Sequence, residues 1–233
     1  MKRHYTFFLL ALLAWLRLPC PTLAQDKEPQ EAVATLVKES RRPHFLNGIA
    51  VGGDIVGPIM KIADNDWSQY EAFVRLNIYD KYFPIFELGL GEGDHEGREL
   101  DNHFKVRAPY FRIGCDYNMI KKHEGNRLFL GLRYGFSTYS YDVDSPTPLT
   151  DPYWGESRPF SDHGLDGHAH WAEAVFGLET RRVGVVSVGW DMRFKLKINQ
   201  KYSDIGIPWY IPGYGRNADG IGWGGTFKIL FDI

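Results

Sequence analysis

Residues 220–233 read GIGWGGTFKILFDI. Taken two at a time, one face carries Ile221, Trp223, Gly225, Phe227, Ile229, Phe231 and Ile233, and the other Gly222, Gly224, Thr226, Lys228, Leu230 and Asp232. A period of two is the pattern of a β-strand. A strand this long, greasy on one side, charged on the other and aromatic near both ends of its apolar face, suits the wall of a barrel standing in lipid. The expected fold class is therefore all-β, a closed eight-stranded antiparallel up-and-down transmembrane β-barrel.

Working outward, seven earlier segments carry the same alternation, over residues 48–62, 69–80, 82–91, 103–120, 126–141, 168–180 and 183–198. The clearest sets Val188, Trp190, Met192, Phe194, Leu196 and Ile198 against Ser187, Gly189, Asp191, Arg193, Lys195 and Lys197. Ile49, Val51, Ile55 and Ile59 are expected on the apolar face of the first strand, and Pro109 is expected to mark a bulge where the phase of the fourth slips. An even number of strands closes the sheet with both chain ends on one side. The connections alternate in length. Tight turns are expected at 80–81, 121–125 and 181–182, and longer loops at 63–68, 92–102, 142–167 and 199–219. Short turns on one side and long loops on the other are the asymmetry of outer-membrane barrels.

Residues 1–24 read as a signal peptide, with Lys2 and Arg3 ahead of an apolar run over 7–16 and a small-residue cleavage site ending at Ala24. The run is too short to span a bilayer as a helix. Pro19 ahead of Cys20 argues against lipidation there. Residues 25–46 read as a polar periplasmic lead-in and 47–233 as the barrel. Without the leader the chain holds 24 Lys and Arg against 29 Asp and Glu, with no basic patch for nucleic acid. Only Cys115 then remains, so no internal disulfide is expected. The mature length of about 209 residues suits one domain.

The choice of which face meets lipid follows from volume and charge. Asp54, Glu71, Arg75, Glu87, Arg112, Asp116, Arg127, Arg133, Glu173, Glu179, Asp191, Arg193, Lys195, Lys197, Lys228 and Asp232 share one side with many strand glycines. An eight-stranded bore is just wide enough to be filled by side chains, and long paired charges beside glycines can fill it. A lipocalin-like barrel would instead turn the apolar face inward and leave the glycines and charges in water. Tyr70, Tyr82, Tyr117, Trp171 and Trp223 are read as interfacial girdles.

Four stretches carry a family resemblance: GLRYGFSTYSYD (131–142), RIGCDYNM (112–119), the glycine-rich first strand, and IPGYG (211–215). Across most of residues 47–233 the chain resembles an uncharacterised family of small outer-membrane barrels of Bacteroidetes-type bacteria, and more loosely the OmpA-like and OmpX-like eight-stranded class. The resemblance implies fold and location and brings no catalytic residues. One departure from the general outer-membrane pattern is the final residue, Ile233 in place of Phe, although Phe231 keeps the phase.

No catalytic residue, metal or cofactor is expected. The densest polar cluster, His163, Asp166, His168 and His170 with Glu173 beyond, lacks a specific ligand spacing. A lipid A hydrolase or acyltransferase would draw on Ser137, Ser140, Ser161, His163 and His170, yet no G-x-S-x-G motif is present. A narrow small-solute channel would be lined by the luminal charges, which fit an ion-pair plug better. The long loops hold Tyr153, Trp154, Trp209, Tyr210 and Tyr214. They either offer aromatics to lipopolysaccharide, or to another outer-membrane protein or lipoprotein, or fold over the mouth and cap it. The expected function is that of a non-enzymatic outer-membrane barrel, docking onto or accessory to an envelope assembly.

Overall fold

The computed structural model describes residues 45–63, 65–97, 103–120, 126–150, 157–204, 206–217 and 220–233. The leader and all of the lead-in except Phe45 and Leu46 lie outside them. Eight long antiparallel strands close into a ring: β1 (Leu46–Asp54), β2 (Trp67–Ile78), β3 (Tyr82–Glu96), β4 (His103–Asn118), β5 (Asn126–Thr150), β6 (Ser157–Val183), β7 (Val186–Lys201) and β10 (Ile221–Asp232). A helix, α1 (Val56–Ile62), follows β1, and a small ribbon, β8 (Tyr210–Ile211) with β9 (Gly215–Arg216), sits in the connection before β10. The ring closes where Ala50 to Asp54 of β1 run opposite Asp232 to Lys228 of β10.

Four local expectations are corrected. The first strand stops at Asp54, whose carboxylate accepts the backbone N–H groups of Val56 (3.0 Å) and Phe227 (3.2 Å) and so ends one ladder and opens α1. Ile55, Ile59 and Ile62 are therefore not strand residues; their spacing is helical, and Pro58 sits in the first turn of α1, where a missing N–H costs nothing. Residues 142–167 are mostly not a loop, because β5 and β6 continue as a ribbon to Thr150 and Ser157. The turn between β2 and β3 is centred on Tyr79 and Asp80, both at φ 55°, and that between β6 and β7 on Gly184, at φ 55°. In the first of these, side-chain hydrogen bonds from Asn77 (2.7 Å) and Asn47 (2.6 Å) hold Asp80 in the left-handed region.

The fourth correction concerns Pro109. The register between β4 and β5 is the same on both sides of it, Val106 opposite Tyr141 and Tyr110 opposite Ser137, so no phase slips. Pro109 points outward, and its carbonyl accepts from Ser137 Oγ (3.0 Å). The sequence looks shifted because polarity exchanges sides along an unbroken strand. Toward the short turns, Phe111, Ile113 and Tyr117 face out while Arg112 and Asp116 face in. Toward the long loops, Lys105 and Arg107 face out while Phe104, Val106 and Ala108 face in. β5 repeats it: Leu130 and Leu132 are outside over Arg127 and Arg133, then Thr138 and Ser140 are outside over Tyr139 and Tyr141.

Candidate functional site

The interior is built on opposed pairs of one glycine and one large side chain. Gly89 faces Tyr110, Gly135 faces Trp171, Gly177 faces Phe129, Gly167 faces Tyr139, Gly131 faces Asp116 and Gly114 faces Arg133. Directly opposed Cβ atoms on antiparallel strands lie about 5 Å apart, so a bulky group can lie across the bore only where its neighbour has none. A Cβ on Gly89 would stand 2.1 Å from the Tyr110 ring, and one on Gly131 would stand 2.1 Å from Asp116 Oδ1.

Between these pairs lies a buried ionic network. Among the described residues, six buried carboxylates (Glu71, Glu87, Asp116, Glu173, Glu179, Asp191) face seven buried cations (Arg75, Arg112, Arg127, Arg133, Arg193, Lys195, Lys228). Glu87, fully buried, is the hub: one oxygen accepts from Arg112 and Arg193 (2.9 Å each), the other lies 3.4 Å from Arg133 Nε and 3.5 Å from Lys228. Arg112 also reaches Glu71 (2.5 Å) and Glu173 (3.1 Å), and Arg193 reaches Asp191 (2.9 Å) and Glu71 (3.1 Å). Arg133 meets Asp116 at 2.7 Å and Lys228 meets Asp191 at 2.8 Å. Nearer the short turns Arg75 holds Glu179 with both Nη atoms (2.5 and 2.9 Å) and lies 3.6 Å from Asp232, while Arg127 joins Glu179 at 2.9 Å.

With charges near balance and most oxygens engaged, mutual attraction offsets the cost of taking these ions out of water. A cavity of about 10 Å³, bordered by Arg75, Asp116, Arg127 and Glu179, has room for one water, and Arg127 Nε there has no hydrogen-bond acceptor. Asp54, expected in this network, instead binds the two backbone N–H groups named above. Lys197 faces in but engages the last loop, at Asn217 Oδ1 (2.5 Å).

Above the network the interior is aromatic. Tyr110, Tyr139, Tyr141, Trp171, Phe104 and Leu165 form a core with Tyr210, Ile211 and Tyr214 of the last loop. That loop enters the mouth of the ring. Lys195 Nζ donates to the carbonyls of Gly213 (2.8 Å) and Tyr214 (2.9 Å), Arg112 donates to Gly213 (3.1 Å), and Gln69 donates to Tyr210 Oη (2.7 Å). Gly213, at φ 83°, lies against Tyr110 with no room for a Cβ. At the rim Trp209 stacks on His95 (4.1 Å between centroids), and His95 Nδ1 meets Asp66 at 2.8 Å. Burial pushes the phenols of Tyr210 and Tyr214 above their ordinary values.

Of the two expectations for the long loops, the last loop follows the capping one: Tyr210 and Tyr214 are buried, and Trp209 is half-buried in a stack. The reason is that IPGYG supplies a hairpin narrow enough to enter. Tyr153 and Trp154 lie outside the described residues. Trp171, expected at an interface, points inward and donates to Glu173 (2.7 Å). Tyr82, Tyr117 and Trp223 do face outward, with Lys81 about equally close to both tyrosine rings (5.4 Å).

The histidine cluster is spread along the outside of the β5–β6 ribbon. His170 Nδ1 meets Tyr134 Oη (2.6 Å), its ring centroid is 5.9 Å from that of His168, and Asp166 accepts from Ser140 (3.4 Å). His163 lies apart from them, near Asp142 (3.7 Å) and Asp144 (3.6 Å). Among the described residues no three His, Cys, Asp or Glu side chains group as a metal would need. Of the candidate serines, Ser137 is inside, bonded to Pro109, while Ser161 donates to Asp144 and lies 3.1 Å from His163 Nε2. The Gly164 N–H donates to Asp142 (2.8 Å).

No curated protein matches the chain. Among solved structures it is similar to a major outer membrane protein from Thermus thermophilus, at 6% sequence identity and a TM-score of 0.40, over 80% of this chain and 98% of that one. Residues 4–233 match DUF6048, described as a domain of unknown function, and the chain belongs to that family.

Proposed function

We propose that the chain is an integral outer-membrane β-barrel, sealed by its own side chains and last loop, that works as a docking or accessory component of the envelope. The observation that carries this is the exchange of polarity along single strands. In water an outward band of Leu, Ile, Phe and Val over an ionic interior is inside out; in hydrocarbon it is the favourable arrangement. From Leu128 to Phe136 of β5 the outward side is apolar. Nine residues at about 3.3 Å each, tilted by about 40°, stand about 20–25 Å tall, the height of a barrel's apolar band. Above it the same strands show Lys105, Arg107, Thr138 and Asp142 to the outside and aromatics to the inside, the polarity of a strand in water.

Among the described residues the luminal charges are buried in mutual ion pairs and the last loop enters the mouth, which argues against a channel. Docking then falls to the loop end, where the β5–β6 ribbon outruns both neighbours: β4 pairs with β5 only as far as Asp144, and β7 with β6 only as far as His168. The short-turn end, which carries both ends of the ring, faces the periplasm in this reading. Refolding from urea into lipid vesicles is expected to give a species whose gel mobility changes on boiling and which passes no current in a planar bilayer. A protein that stays folded and monodisperse in buffer without detergent overturns the reading.

A lipid-modifying hydrolase is the second reading, and the Ser161–His163 contact is the observation in its favour. Against it, the Ser161 proton is directed at Asp144, and His163 Nδ1 is too far from Asp142 to be oriented by it. Lipid A from cells carrying Ser161→Ala, compared by mass spectrometry with wild type, separates the two; a changed lipid favours the enzyme.

A further inference from the structure

We infer that the ring carries a vacant strand position beside the upper half of β10, and that it takes an extended segment of a different chain running antiparallel to β10. The inference rests on the membrane reading above and goes beyond it in naming where and how a partner binds.

The ladder itself shows the vacancy. On β10 the backbone N–H and C=O groups of odd-numbered residues point to β1 and those of even-numbered residues to β7: Ile233 exchanges both bonds with Ile49, whereas Gly220 O accepts from Lys197 N. The last bond upward is Ile55 N to Phe227 O (2.9 Å), and Asp54 takes the Phe227 N–H. There the chain turns into α1, which packs on β2 with Gly57 against the Gln69 carbonyl. Beyond that point β10 pairs with β7 alone, and no described residue hydrogen-bonds to the β1-side backbone groups of Gly225, Trp223 or Ile221. Trp223, on the outward face there, is 68% exposed.

A strand edge inside the apolar band cannot be left to lipid, since acyl chains neither donate nor accept, and each unmet backbone group there costs several kcal/mol. A second copy is the wrong occupant: two barrels inserted the same way up are related by an axis along the membrane normal, which cannot set their β10 strands antiparallel. The occupant continues the line of β1, so its bonds extend an existing ladder. Its outward side chains match Ile221 and Trp223 and are apolar. Its inward ones meet the glycine face of Gly222 and Gly224, behind which lies Lys195, its Nζ 3.6 Å from the Cβ position of Gly224, and are polar or acidic.

The test places a photo-crosslinking amino acid at Trp223 in the full-length protein in intact cells, with and without Gly225→Pro. Proline there removes an N–H turned away from β7 and leaves the β7 ladder whole. The expected result is a crosslink whose peptide, read by tandem mass spectrometry, is an alternating apolar/polar stretch of another chain, lost at least tenfold with Gly225→Pro. A crosslink to a second copy, to lipid alone, none at all, or one indifferent to the proline overturns the proposal. Should Gly225→Pro not fold, amide exchange at residues 221, 223 and 225 decides. Protection in native outer membranes but not in pure lipid vesicles supports the vacant position, and equal exchange in both overturns it. Fractionation of the same cells reports separately whether the protein resides in the outer membrane.

Discussion

Trp171 and Gly135 stand opposite each other on β6 and β5, and the indole lies where a side chain of residue 135 would be, with Cε2 2.1 Å from the Cβ position. The same indole donates to Glu173 at 2.7 Å, so one glycine joins the aromatic cap to the ionic layer below it.

Gly135→Ala therefore forces the indole aside, a small-to-large change expected to cost about 1–3 kcal/mol. Gly225→Ala, outward and with nothing nearer than 3.5 Å to its Cβ, is expected to be neutral. Urea midpoints in detergent compare the two. Equal midpoints would show that the opposed pairing is incidental.

Glu87→Ala leaves Arg112, Arg133, Arg193 and Lys228 facing an uncompensated gap. Breaking a buried network on one side costs about 3–5 kcal/mol. Adding Arg193→Met to Glu87→Ala is expected to recover part of the loss, because one orphaned charge leaves with the other. A purely additive double variant would count against a coupled network.

Leu132, 72% exposed on the outer wall, is the discriminating position for the surroundings. Leu132→Arg is expected to lower folding yield into lipid vesicles with a cost of about 2–4 kcal/mol, as at a bilayer midplane. Ser140→Arg, outward on the same strand but above the band, is expected to change stability by less than about 0.5 kcal/mol. In a protein surrounded by water both would be neutral.

Lys195→Met removes two charge-assisted bonds to the last loop, at Gly213 and Tyr214. At about 1.5–3 kcal/mol for such contacts, the open loop should become about ten- to a hundredfold more populated. Trypsin cleavage after Arg216 measures this, and an unchanged rate would mean that shape alone holds the loop.

Alkali should release the same loop. Burial raises the Tyr210 phenol above its unfolded value near 10, so the native state holds that proton more tightly. The stability it contributes is complete below about pH 10 and is lost as pH rises toward the folded value. Trp209 fluorescence is expected to change above pH 10 in the wild type and less in Tyr210→Phe; the same transition in both would assign it elsewhere.

Much of this was legible from residues alone. β7 and β10 were readable because every second residue from Val188 to Lys197 and from Gly222 to Ile229 keeps one polarity. What misled was the upper half of β4 and β5. Phe104, Val106 and Ala108 lie on the same side as Arg112 and Asp116, and only the pairing with β5 reveals that a single phase runs through Pro109. The ribbon over 142–167 was hidden for the same reason: its glycines, aspartates and prolines are loop residues by composition and become strand by pairing.

The sequence by itself determined the strand period, the number of wall segments and the side bearing the charges, because these depend on residues two apart in one chain. Only the tertiary structure decided which cation meets which carboxylate, that Tyr210 and Tyr214 point into the mouth, and that β1 yields to a helix after Asp54. Those facts depend on groups far apart in the chain, 141 positions for Gln69 and Tyr210 and 173 for Asp54 and Phe227. Whether such groups meet is set by closure of the ring and by which inward positions lack a side chain.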